Sequence, residues 1–497
     1  MTAGSRISSS RSEAGWTIVL VVGLAALLGL RLVALTLNGT NLFFDEAQYW
    51  TWSQDLDFGY YSKPPLIAWI IRGATEICGQ GESCVRAPSP ILHTMTALVV
   101  FLIGRRLYGI MTGVLAALVF ATLPGVSVSS GIISTDVPLL FFWSLALFAL
   151  VLMFDNKSWW LALLLGVALG GGFNAKYAMV WFVLCLAVYL IATPQKRWLL
   201  KDARLWLAAA IGAAMILPNV LWNAGHKFAT LSHTADNANW QGSLMHPEKA
   251  LEFIGAQFGV FGPILFAGLL IITWRAWRNG LPAPDRLMMS FALPVIIVIT
   301  MQALVSRAHA NWAAVSYVSA TLLVVATMVR NLDWAWLRGS MALHIAILLA
   351  LMFATIFASS FVLPGGASPF ARTLGWKALV DATKQELDGA REKGQPFAAV
   401  LADDRSVTAE LLYYMRSETT PVKAWKSGAV PKDHYQLTRP FMRATTGPVL
   451  LVSLGAPEVD VTEKFAHAET FKRAKIAAGS GKTRNVSFTR LEGLIEK

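Results

Sequence analysis

Residues 43–66 read FFDEAQYWTWSQDLDFGYYSKPPL and form the first polar segment after an apolar run, residues 16–37, that is long enough to cross a membrane. The stretch sets Asp45 and Glu46 side by side, a loop's length before Lys63, Pro64 and Pro65, with Tyr60, Tyr61 and other aromatic residues between them. A carboxylate pair near a fixed cation can take a proton from an acceptor while the cation holds an anionic leaving group. Both halves of a group transfer are therefore available in one loop.

Working outward, the composition sets the solvent in which that loop sits. Hydrophobic residues make up 55% of the 497 residues and charged residues only 14%. Apolar runs of about 18 to 22 residues recur, each matching a hydrocarbon core of roughly 30 Å. The chain is read as a polytopic α-helical membrane protein. About eleven transmembrane helices are expected from run length and polar breaks. They lie near residues 16–37, 88–104, 110–128, 137–154, 159–173, 177–193, 205–222, 252–273, 286–305, 312–329 and 341–363. The first run continues without an A-x-A-like cleavage site, so it reads as a retained helix and not as a signal peptide.

The formal net charge of +12 does not point to nucleic acid, because many of the cations fall in short connections between apolar runs. Arg6 and Arg11, Arg105 and Arg106, Lys157, the segment from Lys196 to Arg204, Arg275 and Arg278, and Arg330 and Arg338 all land on one side of the expected helices. By the positive-inside rule that side, with the N-terminus, is cytoplasmic. The other side collects the loop 38–88, Ser134-Thr135-Asp136, Lys176, the loop 226–248, and Arg307-Ala308-His309-Ala310-Asn311. The candidate chemistry thus gathers on an outer, periplasm-like face.

After residue 363 the composition changes, and 364–497 reads as a soluble α/β domain appended to a membrane domain of residues 1–363. FAAVLADD from 397 reads as a strand, SVTAELLYYMR as a helix opened by Ser406, and GPVLLVSLG from 447 as a second buried strand. An odd number of spans places this tail on the outer face. Gly479-Ser480-Gly481-Lys482-Thr483 mimics a phosphate loop, but the glycine such a loop requires five residues earlier is Ile476. A basic surface turn is the better reading. Cys185 lies within an apolar run and is expected to pack as a buried thiol, whereas Cys78 and Cys84 can close a small ring if their loop meets an oxidising compartment.

Each polar candidate carries two readings. Lys63 can stabilise charge growing on a lipid-phosphate leaving group, or snorkel to headgroups. Arg86 is a second phosphate contact or a topology-setting cation. Asp136 can bind sugar hydroxyls, or with Ser134 and Thr135 cap the helix that follows. Lys176 follows Gly170-Gly171-Gly172 and can reach a phosphate or a sugar carboxylate, or snorkel to the interface. Arg307 can grip an anionic sugar or acceptor phosphate in two-point fashion, with His309 and Asn311 beside it, or anchor the interface with Trp312. His226, His233 and His246 could hold zinc together with His309, but their spacing is not that of a recognised cluster; hydrogen-bonding roles are preferred, and a divalent cation stays open without a ligand motif to indicate it.

FFDEAQYW with YYSKPPL, then VRAPS at 85–89 and STDVPLLFF at 134–142, resemble the integral-membrane GT-C glycosyltransferases that use polyprenyl-phosphate sugars, in the superfamily of protein O-mannosyltransferases and aminoarabinose transferases. SRAHANWAAVSY at 306–317 is similar to the lipid A and lipopolysaccharide-core transferases within it. The resemblance implies an inverting transfer outside the inner membrane, from a polyprenyl-phosphate donor to lipid A or lipopolysaccharide. It implies Asp45 and Glu46 as the catalytic acidic positions and Lys63 as a donor-phosphate position, joined by Arg86 and Lys176. Asp136, Tyr60, Tyr61, His233, Arg307, His309 and Asn311 become expected sugar or acceptor contacts. Another envelope glycan or a protein as acceptor, or transport of a lipid-linked sugar, are the competing readings. A transporter usually places its polar site near the bilayer midplane, often between repeated halves.

Overall fold

In the computed structural model, residues 3–238, 245–442 and 446–495 are described, with side chains in the first stretch from 13 to 236. The expected contributions of Arg6, Arg11 and residues 239–244 of the loop 226–248 fall outside these limits. The anticipated apolar runs fold mainly as helix, because within hydrocarbon the backbone must satisfy its own hydrogen bonds; the run expected at 341–363 is helical only to Ile356, and that expected at 110–128 divides at Leu123 into Ile110–Thr122 and Pro124–Ser129. Among the described residues, six helices are long and apolar enough to cross a membrane: Glu13–Thr36, Glu82–Tyr108, Asp136–Met153, Ala203–Gly225, Ala283–Val305 and Trp334–Ile356. Four further apolar helices, Ile110–Thr122, Trp160–Ala175, Tyr177–Ala192 and Ser316–Arg330, are shorter.

The run expected as one span at 252–273 is not one straight helix. It forms Pro247–Val260 and Pro263–Asn279, bent by 118° across Phe261 and Gly262. Gly262 has φ +92°, a conformation open to glycine, and Pro263 lacks the N–H that would continue the helix. The joint therefore breaks where the sequence permits a left-handed residue followed by a helix-starting proline.

The chain divides into two compact units. The first comprises residues 1–35, 63–67 and 86–351. Its core includes Trp143, Phe182 and Phe291 in mutual edge-to-face contact, with ring centroids 5.0 to 6.2 Å apart. Helix Trp160–Ala175 comes close to its neighbours through Gly170, Gly171 and Gly172, where an added Cβ would meet Met215, Phe142 and Met179 at 2.5 to 2.6 Å. That close packing fixes the end of the helix, and so the position of Lys176. Cys185 is fully buried, as a packing thiol.

The second unit joins residues 36–62 and 68–85 to residues 352–497. Its sheet has the order β2-β1-β3-β5-β4, with β1 Ala399–Ala402, β2 Val422–Ala424, β3 Val449–Leu454, β4 Phe465–Ala477 and β5 Thr483–Leu494. β1 pairs in parallel with β2 and β3, while β5 runs antiparallel to β3 and β4. The parallel β1–β2 pair needs a crossover, which helix Arg405–Tyr414 supplies. This helix is capped by Asp404 and not by Ser406, because the Asp404 carboxylate accepts from Ser406 N at 2.7 Å and Val407 N at 3.2 Å. The GSGKT stretch is the β4–β5 hairpin turn, closed by Lys482 N donating to Gly479 O at 2.8 Å. A strand follows it where a phosphate loop would lead into a helix.

The first-loop segments are stitched into this unit by specific polar contacts. Tyr413 Oη donates to Gln80 O at 2.8 Å, Trp50 Nε1 donates to Gln80 Oε1 at 2.6 Å, and Asp55 pairs with Arg439 at 3.0 Å. Cys78 and Cys84, which flank Gln80, are joined in a disulfide.

Candidate active site

Asp45 and Glu46 stand in the first turn of helix Phe44–Gln54 and face different surroundings. Glu46 is 1% exposed, and its Oε2 accepts from Phe43 N at 2.9 Å, closing the helix start. Asp45 has a side chain 37% exposed, and its Oδ1 accepts from Arg405 at 3.0 Å. The same Arg405 nitrogen donates to Gln48 Oε1 at 2.9 Å, and the guanidinium lies 4.9 Å from the Phe44 ring centroid. Arg405 thus orients Asp45 from a position 360 residues later. Its placement in Asp403-Asp404-Arg405-Ser406, just after a buried strand, is the signal that could have found it, since ligand-facing groups in α/β folds collect at strand carboxyl ends.

The two tyrosines do different work. Tyr60 is 1% exposed, stacks on Trp52 with centroids 4.6 Å apart, and donates to Trp52 O at 3.0 Å. Burial pushes its hydroxyl above the ordinary tyrosine range. Tyr61 is half-buried and donates to Pro431 O at 2.9 Å.

In the other unit, three separate connections bring expected site residues together. Asp136 begins helix Asp136–Met153 and is 8% exposed. Its Oδ1 accepts from Lys176 Nζ at 2.7 Å and its Oδ2 from Asn311 Nδ2 at 2.7 Å. Asp136, Lys176 and Asn311 lie 40 and 175 residues apart in sequence, so only the fold unites them. Both carboxylate oxygens point into a charged, donor-rich cluster. Breaking such a pair leaves a poorly solvated charge behind, so the arrangement is self-holding.

Arg86 is 1% exposed at the end of helix Glu82–Arg86, and Lys63 is half-buried just before Pro64 and Pro65. Helix Leu66–Cys78 starts only after the two prolines. His233 is half-buried on helix Ala229–Ala238, His226 stacks on Trp222, and His246 Nδ1 lies 3.1 Å from Glu248 Oε1. Among the described residues, no group of three or more His, Cys, Asp or Glu side chains is arranged to hold a metal. Arg307 and His309 line a cavity of about 280 Å³ with Lys249 and Glu252, which the sequence pattern did not single out.

A family model described as dolichyl-phosphate-mannose-protein mannosyltransferase matches residues 62–222. The lipid A galacturonosyltransferase RgtD of Rhizobium johnstonii is 36% identical over 439 residues, covering 87% of this chain and 91% of that protein. The undecaprenyl phosphate-alpha-4-amino-4-deoxy-L-arabinose arabinosyl transferase of Pseudomonas aeruginosa is 26% identical over 248 residues, 48% of this chain and 42% of that one. Among solved structures, ArnT from Cupriavidus metallidurans bound to undecaprenyl phosphate aligns with a TM-score of 0.62 at 15% identity, over 95% of this chain and 98% of that one. At that identity the likeness is one of fold.

Proposed function

The chain belongs to the GT-C family of polyprenyl-phosphate-sugar-dependent membrane glycosyltransferases, and from that premise we propose an inverting sugar transfer to lipid A or the lipopolysaccharide core at the periplasmic face of the inner membrane. Galacturonate is the preferred sugar, because a relative aligned over 87% of the chain is a lipid A galacturonosyltransferase. The charge sorting of the connections supports the periplasmic placement.

In this reading an acceptor hydroxyl attacks the anomeric carbon as Asp45 takes its proton, the bond from that carbon to the phosphate oxygen breaks, and polyprenyl phosphate leaves. Lys63 and Arg86 stabilise the charge gathering on the departing phosphate. Asp136, held by Lys176 and Asn311, orients sugar hydroxyls. An acceptor already ionised, such as a phosphate, would need no base, and Asp45 would then only orient it.

The observation that carries the assignment is the division between neighbouring carboxylates. Glu46 is buried and spends an oxygen on Phe43 N, whereas Asp45 gives Oδ1 to Arg405 and keeps Oδ2 without a partner among the described residues. Mass spectrometry of lipid A and core from cells with the intact chain, without it, or with Asp45→Asn tests the proposal. A sugar increment present only with the intact chain is expected. Identical lipopolysaccharide in all three strains would remove lipid A and core as acceptors and direct the search to other envelope glycans.

A further inference from the structure

The cavity beside Arg307 is built, and its walls are tethered at both ends. One wall is helix Pro247–Val260 and the other is the segment 307–310. At one end His246 N donates to Leu304 O at 2.6 Å. Toward the other, Gln257 Nε2 donates to Ala310 O at 3.4 Å, while Gln257 is fully buried and accepts from Tyr317 Oη. Those contacts fix the height of Arg307 against the helix.

The lining is cationic on balance. Arg307 is exposed and has no carboxylate within ion-pair distance among the described residues. Lys249 pairs with Glu252 at 3.0 Å, so two cations face one carboxylate and one net positive charge remains. Buried Phe253 supplies an apolar wall. A volume of about 280 Å³ lies just under the ~300–1,000 Å³ usual for small-molecule sites, which suits one sugar ring and not a whole lipid. Ala310 on the wall is followed directly by Asn311, which donates to Asp136. The cavity therefore adjoins the cluster assigned above to sugar hydroxyls.

We propose that Arg307, seconded by Lys249, reads the carboxylate of the transferred sugar and so makes this chain select a uronic acid over its neutral counterpart. The inference rests on the transferase reading above and supplies the residues that would set its sugar choice. A planar guanidinium meets a carboxylate through two parallel hydrogen bonds, which a neutral hydroxymethyl group does not reproduce.

The test is binding to the full chain in detergent of four probes: polyprenyl phosphate carrying galacturonate, galactose or 4-amino-arabinose, and the sugar-free polyprenyl phosphate. The intact chain should bind the galacturonate donor about 10-fold or more tightly than the galactose donor. Arg307→Gln should bring that ratio close to one, and Lys249→Gln should reduce it part of the way. Lys249→Gln alone serves if Arg307→Gln does not yield folded protein.

Equal affinity of the intact chain for galacturonate and galactose donors would overturn the proposal. So would an equal loss by Arg307→Gln for all four probes, which would make Arg307 a phosphate contact. Tightest binding of the amino sugar, abolished by Glu252→Gln, would reverse the sign of the site. Because binding is read without turnover, unchanged lipopolysaccharide together with an intact uronate preference would remove only the acceptor assignment.

Discussion

Asp45 and Glu46 are adjacent in sequence, yet the helix start gives them different tasks, and that difference is measurable. Glu46→Ala should remove a helix-start contact and lower stability by about 0.5–2 kcal/mol, read as a fall in the thermal midpoint of detergent-purified protein. Asp45→Asn should leave the midpoint near that of the intact chain and cut turnover by about 100-fold or more, the size of a lost general base. A stable Asp45→Asn protein with full turnover would remove the base assignment. The acidic pair was legible from sequence because two carboxylates after a span are chemically conspicuous. The partner Arg405 was not, since its approach depends on how helix Arg405–Tyr414 packs in the same unit as the first loop. Likewise Asp136, Lys176 and Asn311 each looked polar at one face, but their convergence at 2.7 Å is a product of tertiary packing.

At the level of elements, the apolar runs were readable because length and hydropathy suffice to mark a membrane helix. The break at Gly262 was not, because a hydropathy window averages over one glycine and one proline. In the sheet domain, the strand ends carry a testable electrostatic cost. Asp403 follows β1, its Oδ2 accepts from Ser453 Oγ at 2.5 Å, and burial raises its pKa above the ordinary carboxylate range despite that bond. A carboxyl group whose folded pKa is raised contributes stability that is fully present below the unfolded value and is lost as pH rises through the folded one. The stability of the intact chain relative to Asp403→Asn should therefore fall from about pH 4 upward, beginning near the ordinary aspartate pKa. A difference that stays constant with pH would show that the Ser453 bond offsets the burial.

For the whole molecule, the decisive property is which side of the membrane each surface meets. The cation-rich connections and the tail were assigned to opposite sides from charge alone, through the positive-inside rule, and that assignment can be tested without reference to catalysis. The native cysteines suit the experiment, because Cys185 is fully buried and Cys78 and Cys84 are bonded to each other. Single new thiols at exposed positions should then report cleanly: Gln195→Cys in the cation-rich connection and Ala466→Cys on β4 of the tail. A membrane-impermeant maleimide added to cells with a permeabilised outer membrane should label Ala466→Cys at once and Gln195→Cys only after the inner membrane is opened. The reverse pattern would put the tail in the cytoplasm and with it Asp45, since residues 36–62 belong to the same compact unit as the tail. A donor sugar presented at the periplasmic face would then be out of reach, and the transfer would have to run on the cytoplasmic side.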